Sequence, residues 1–133
     1  MKLKDLSVTF HTSKVHECAD FYVKYLDAEI IFDAGWYVSV RFRSEGQTGI
    51  FLSFQDATHT GRKEADGTTT LNFMVGDVDA EYEKIRKTGI AFEEEITDHT
   101  WGDRAFSVPD PIGNVVYIYS ERPLGDEWKD AVK

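Results

Sequence analysis

The sequence predicts an α+β fold assembled from two βαβββ units in a single chain of 133 residues. Two observations carry the prediction. The stretch SVTFHTSKVHECADFYVKYLDAEIIF, from Ser7, returns in outline as TLNFMVGDVDAEYEKIRKTGIAFEEEI, from Thr70, at an offset of 63 residues, so that Phe10 meets Phe73 and Val15 meets Val78. In each copy an alternating run gives way to apolar residues three and four apart, then to further alternating runs, which is the change of period that separates strand from helix.

In the first copy an opening strand leads to Ser13, read as a helix N-cap, and to a helix reaching about Leu26 with Val15, Cys18, Ala19, Tyr22, Tyr25 and Leu26 on one stripe. Strands follow at about 29–33, 37–43 and 49–55. In the second copy a helix starts near Asp77, carries Val78, Tyr82 and Ile85, and stops at Gly89, since glycine accepts the left-handed conformation of a helix end. Strands follow at about 92–96, 104–108 and 115–120, the last after the turn DPIGN. The units span about 5–57 and 68–122 of one domain, and the tail 123–133 reads as one or two helical turns capped by Asp126, with Trp128 docked on its own domain or on a second subunit.

Alternation sorts the strand residues into two faces. Leu6, Val8, Phe10; Val38, Val40, Phe42; Ile50, Leu52, Phe54; Leu71, Phe73, Val75; and Phe106, Val108 form rows suited to lie beneath the helices. The opposite rows are mixed: Ser7, Thr9, His11; Tyr37, Ser39, Arg41; Phe51, Ser53, Gln55; Thr70, Asn72, Met74; Tyr117, Tyr119, Glu121. Large aromatics among polar residues suit a concave surface that holds a partly apolar molecule better than they suit open water.

Composition narrows the function classes. The net charge of -9 repels a phosphate backbone and argues against nucleic acid as a partner. No apolar run approaches the ~18 residues of a membrane span, and the only cysteine, Cys18, points to a reducing compartment, so a soluble cytoplasmic protein is expected.

The phrase ADFYVKYL, the stretch VGDVDAEYEKIRKTGI and above all AFSVPDPIGNVVYIYSE resemble the vicinal oxygen chelate superfamily, which includes glyoxalase I, extradiol dioxygenases, fosfomycin resistance enzymes and bleomycin resistance proteins. The likeness runs from about Leu6 to Glu121. It implies that the paired units curl into a half-open mixed barrel whose concave side holds the ligand. The family's metal enzymes use two histidines and a glutamate, and their places fall here on Ser7, Thr70 and Tyr117. Neutral hydroxyls cannot replace imidazole and carboxylate together. The resemblance therefore implies a member with neither metal nor other cofactor, and FDAGWYVSV and TWGDRAFSVPDPIGN are similar to the bleomycin resistance proteins, homodimers that sequester an antibiotic without transforming it.

On that reading the ligand-binding residues are His11, Trp36, Tyr37, Arg41, Trp101, Tyr117, Tyr119 and Glu121: rings for stacking, Glu121 and nearby acids for cationic groups, and Arg41 for an acidic group or a framework salt bridge. The alternative is a metal-dependent lyase, isomerase or dioxygenase with non-standard ligands, in which His11 and Glu121 supply a displaced site. Arg104 has the same two readings as Arg41, His16 and Cys18 face different directions and form no metal pair, and His59 and His99 are expected in exposed loops.

Overall fold

The predicted order occurs twice along the chain. The structure, a computed structural model, describes residues 1–45 and 49–133. Its contacts divide into a unit Met1–Asp66 and a unit Gly67–Lys133. The first unit comprises β1 (Val8–His11), α1 (Val15–Leu26), β2 (Glu29–Asp33), β3 (Tyr37–Phe42), β4 (Ile50–Gln55) and a short helix α2 (Ala57–Thr60). The second comprises β5 (Thr70–Met74), α3 (Val78–Arg86), β6 (Glu94–His99), β7 (Asp103–Pro109), β8 (Val115–Glu121) and a terminal 3-10 helix (Asp126–Ala131). The sheets have the orders β1-β4-β3-β2 and β5-β8-β7-β6, each with the first strand parallel to the last and the other pairs antiparallel. Neither sheet closes on itself. No helix among the described residues is long and apolar enough to cross a membrane.

In the first unit α1 lies on β3 and β4, burying Val15, Cys18, Ala19, Phe21 and Tyr22 against Val38, Val40, Leu52 and Phe54. Tyr22 is fully buried, stacked on Phe54 at 5.7 Å and edge-on to Phe42 at 5.8 Å. Ring pairs of this kind add about 0.5–1.5 kcal/mol each beyond the area they bury. The expected apolar rows are shorter than alternation suggests. Leu6, Val8 and Ile50 are exposed, because β1 begins only at Val8, and the row starts at the pair Val8 and Leu52.

The start of α1 corrects the sequence reading. Lys14, not Ser13, occupies the N-cap and makes no side-chain cap. One oxygen of Glu64 instead accepts from Ser13 N at 2.6 Å, Thr12 Oγ1 at 2.8 Å and Ser13 Oγ at 3.2 Å. The Ser13 hydroxyl is committed there, and a carboxylate at a helix N-terminus also meets the positive end of the dipole. α3 starts where expected, and Asp77 caps it, its Oδ1 accepting from Ala80 N at 3.1 Å. The helix stops at Arg86, before Gly89, where the Thr88 hydroxyl takes the Ile85 carbonyl at 2.6 Å.

The DPIGN turn is built around a buried carboxylate. Asp110 accepts from Asn114 N at 2.8 Å, Ile112 N at 3.0 Å and Asn114 Nδ2 at 3.0 Å. Gly113 sits at φ 81°, where only glycine is unstrained. Gly67 passes so close that an added Cβ would stand 2.9 Å from Gly113 and Ile112 backbone atoms. The turn thereby fixes the start of β8, which carries the tyrosines.

Candidate functional site

The face of β6, β7 and β8 turned away from α3 gathers the chemically active residues of the second unit. Register aligns His99 with Asp103 and Glu121, Thr97 with Ala105 and Tyr119, and Glu94 with Ser107 and Tyr117. The opposite face of β7 and β8 buries Phe106, Val108, Val116 and Ile118. Arg104 belongs to that opposite face, where it bonds Asp79 of α3 at 3.0 Å and Asp98 at 3.1 Å. It is a framework residue, and among the described residues the open face of β6, β7 and β8 carries no lysine or arginine.

His99 is the hub. Its Nδ1 lies 2.7 Å from Asp103 Oδ1 and its Nε2 lies 3.0 Å from Glu94 Oε1. The Glu94 contact is close enough for charge attraction but out of line for a hydrogen bond, and that oxygen, although buried, has no hydrogen-bond partner among the described residues. Tyr117 donates to Asp103 Oδ2 at 2.8 Å, with its oxygen 3.3 Å from His99 Nδ1. Trp101 lies flat against the His99 ring at 4.0 Å and 10°, with its other side exposed. Tyr117 and Tyr119 continue the aromatic surface, their rings 6.0 Å apart. Burial, then the Asp103 carboxylate, push the Tyr117 hydroxyl up, so it remains a neutral donor and cannot act as a base near neutrality.

The turn bearing Trp101 is braced by the tail. Gly125 N donates to Thr100 O at 2.7 Å, Trp128 Nε1 to Thr100 Oγ1 at 2.9 Å, and Arg122 N to Gly102 O at 2.8 Å. Trp128 thus docks on its own unit, and the 3-10 helix starts after Gly125 instead of being capped by Asp126.

The first unit places Thr9, His11, Tyr37, Ser39, Ser53 and Gln55 on its own open face. His11 Nδ1 reaches Thr60 Oγ1 at 3.4 Å, a long contact. Trp36 stacks on His59 at 4.1 Å, so His59, exposed as expected, lies in α2 and not in a featureless loop. Arg41 pairs with Glu29 at 2.8 Å on the surface. His16, exposed, bonds Asp33 at 3.0 Å, while Cys18 is buried.

Of the predicted site residues, Trp101, Tyr117, Tyr119 and Glu121 come together in the second unit, and His11 and Tyr37 share a face of the first. Glu94, His99 and Asp103 were missed. The expectation of an exposed loop at His99 is corrected: it ends β6, and its side chain is 9% exposed. The signal was present in HTWGD, whose flanking histidine and aspartate close the β6–β7 hairpin as a register pair.

The sequence profile described as the Glyoxalase/Bleomycin resistance protein/Dioxygenase superfamily matches residues 7–118. The chain belongs to this superfamily. No curated protein matches the chain. Solved structures share the superfamily fold. A protein from the mobile metagenome of V. Pseudocholerae matches at TM-score 0.71 and 16% identity, covering 90% of this chain and 96% of that one. TnmS3, an antibiotic binding protein from Streptomyces sp., matches at TM-score 0.68 and 22% identity, covering 91% and 98%. A superfamily member from Sphaerobacter thermophilus matches at TM-score 0.68 and 25% identity, covering 90% and 98%.

The places that the superfamily's metal enzymes use do not fit a metal here. Ser7 and Thr70 are exposed hydroxyls, and the Tyr117 phenol is held neutral and already donates to Asp103. Among the described residues no three His, Cys, Asp or Glu side chains are grouped to hold an ion. Glu94, His99 and Asp103 are directed at one another.

Proposed function

We propose that the protein binds a planar, cationic small molecule on the open face of its second unit and holds it without a metal and without chemical change. The observation that carries this reading is the Trp101 ring, stacked on His99 and half exposed, beside Glu94, Asp103 and Glu121 on a face without lysine or arginine. Its free side offers a flat surface, and the carboxylates favour positive charge through stacking and cation–π attraction. Tyr117 keeps its proton and is a hydrogen-bond donor on this face, and both nitrogens of His99 face carboxylates. TnmS3, an antibiotic binding protein, supports sequestration, as in a resistance protein of the bleomycin type. The same reading takes the protein as a cytoplasmic homodimer; Ile30 and Ile31, exposed on the free edge strand β2, suit association of two copies.

Calorimetry with bleomycin and with proflavine, on protein stripped with a chelator, tests the reading. The expected result is saturable binding of at least one of them, unchanged when Zn, Ni or Mn is restored. Binding that appears only with a divalent ion, or conversion of the bound compound, would favour the enzyme reading instead. Light scattering tests the dimer, and a monomer at tens of micromolar overturns that part.

A further inference from the structure

We propose that Asp66 and Gly67 form a site of spontaneous covalent modification, at which the chain passes through a succinimide to an isoaspartyl linkage, the substrate of a carboxyl methyltransferase of the isoaspartyl-repair class. The site is separate from the ligand face proposed above and does not rest on it.

Asp66 is the only aspartate in the chain that is followed by glycine. The pair lies between α2 and β5, outside helix and strand. On either side the backbone is tied down: Ala65 N donates to His11 O at 2.7 Å, and Thr69 O accepts from Val115 N at 3.0 Å. Between these ties the Gly67 amide has no hydrogen-bond partner among the described residues. The Asp66 side chain is 57% exposed, with Lys63 Nζ 4.0 Å away. A surface pair of that length holds a carboxylate weakly. The nitrogen that must attack is therefore unengaged, the carboxyl is free to turn, and glycine brings no Cβ to shield its amide.

The reaction needs no co-reactant but water. Gly67 N attacks Cγ of the Asp66 carboxylic acid; the N–Cγ bond forms, the Cγ–OH bond breaks, and the hydroxyl leaves with the amide proton as water. Water then reopens the five-membered ring. Opening at the main-chain carbonyl carbon leaves the chain running through the former side chain, with one extra backbone carbon and a free α-carboxylate. One water leaves and one returns, so the mass is unchanged. The free α-carboxylate is the group that the methyltransferase esterifies.

The consequence falls on the DPIGN turn. Gly67 has φ 76° and lies where an added Cβ would stand 2.9 Å from Gly113 and Ile112 backbone atoms. A contact so close leaves little room for movement, and a carbon inserted directly before Gly67 displaces it. The pairing of β5 with β8 begins three residues later, at Thr70 and Val115, so the isoaspartyl form is less stable than the original chain.

Wild-type protein held for several weeks at mildly acidic pH and physiological temperature provides the test. Methyl transfer from labelled S-adenosylmethionine by an isoaspartyl methyltransferase should rise with time to severalfold above that of Asp66→Glu, whose side chain would have to close a six-membered ring. Fragmentation that splits the Cα–Cβ bond should place the isoaspartate at residue 66. Equal labelling of wild type and Asp66→Glu, after an incubation that converts the free peptide RKEADGTTT, overturns the proposal. The labelled fraction should also melt below the unaged protein, and an identical melting temperature overturns the stated consequence for the turn.

Discussion

Tyr117 reaches forward along its strand to donate to Asp103 Oδ2 at 2.8 Å, although Asp103 is the register partner of Glu121, four residues further on. The ring therefore lies along the sheet and leaves one face open, while its hydroxyl holds a carboxylate that is only 8% exposed. Removing that hydroxyl leaves the Asp103 oxygen short of a donor, and Tyr117→Phe should cost about 1–2 kcal/mol in urea unfolding at neutral pH. Because burial and Asp103 raise the hydroxyl above its ordinary 10.0, the folded state holds this proton more tightly than the unfolded chain. The corresponding stability is complete below pH 10 and lost as the pH rises toward the folded value. Tyr117→Phe should accordingly lose less stability than wild type between neutral and strongly alkaline pH, and equal losses would show that the hydroxyl is not so held.

Glu64 gives the opposite pH signature. Ser13 N, then Thr12 Oγ1, hold its carboxyl below its ordinary 4.5, so the stabilisation is present above that pH and lost as the pH falls through the folded value. Glu64→Gln should be less stable than wild type at neutral pH, and the gap should close on acidification. A gap constant down to strong acid would mean that charge has no part in capping α1.

Trp101 is 52% exposed, so Trp101→Ala should leave the melting temperature nearly unchanged while weakening proflavine binding about 10-fold, the upper range of a stacking contact. A shortened chain ending at Pro123 should show a partial version of the same defect. It lacks the Gly125 and Trp128 hydrogen bonds that hold the Thr100 backbone and side chain. Unaltered binding by the shortened chain would show that the tail does not position the tryptophan.

Phe106 is fully buried in the second unit, edge-on to Tyr82 at 5.4 Å and to Phe92 at 5.8 Å. Phe106→Ala should cost about 3–5 kcal/mol by the combined transfer and cavity terms. Urea unfolding measures it, and a loss near 1 kcal/mol would mean that the neighbouring rings collapse into the space.

The order of strands and helices was legible because periodicity and an internal repeat are local in sequence. The start of α3 near Asp77 and the DPIGN turn were legible because their partners lie within a few residues. The cap of α1 was not, since Glu64 lies 51 residues from Ser13 and no local pattern connects them. The aromatic half of the site followed from alternation along β8. Its ionisable half depended on the true length of β6: ending that strand at Ile96 left His99 in a loop, whereas three more residues bring it opposite Asp103. Arg41 and Arg104 matched both a ligand role and a framework role in sequence, and only the positions of Glu29, Asp79 and Asp98 assign them to the framework.

In both units the opening strand takes the final strand as its parallel neighbour. Val8 waits for Leu52, and Thr70 for Val115, so each pairing closes a segment of more than forty residues. On a ribosome that delivers the chain from its N-terminus, β5 has no partner until the very last strand emerges. A nascent or prematurely terminated chain that stops before Val115 would carry Thr70–Met74 as an unsatisfied strand with Met74 uncovered, a template for pairing with other chains. Translation errors late in the message therefore threaten aggregation more than simple loss of binding.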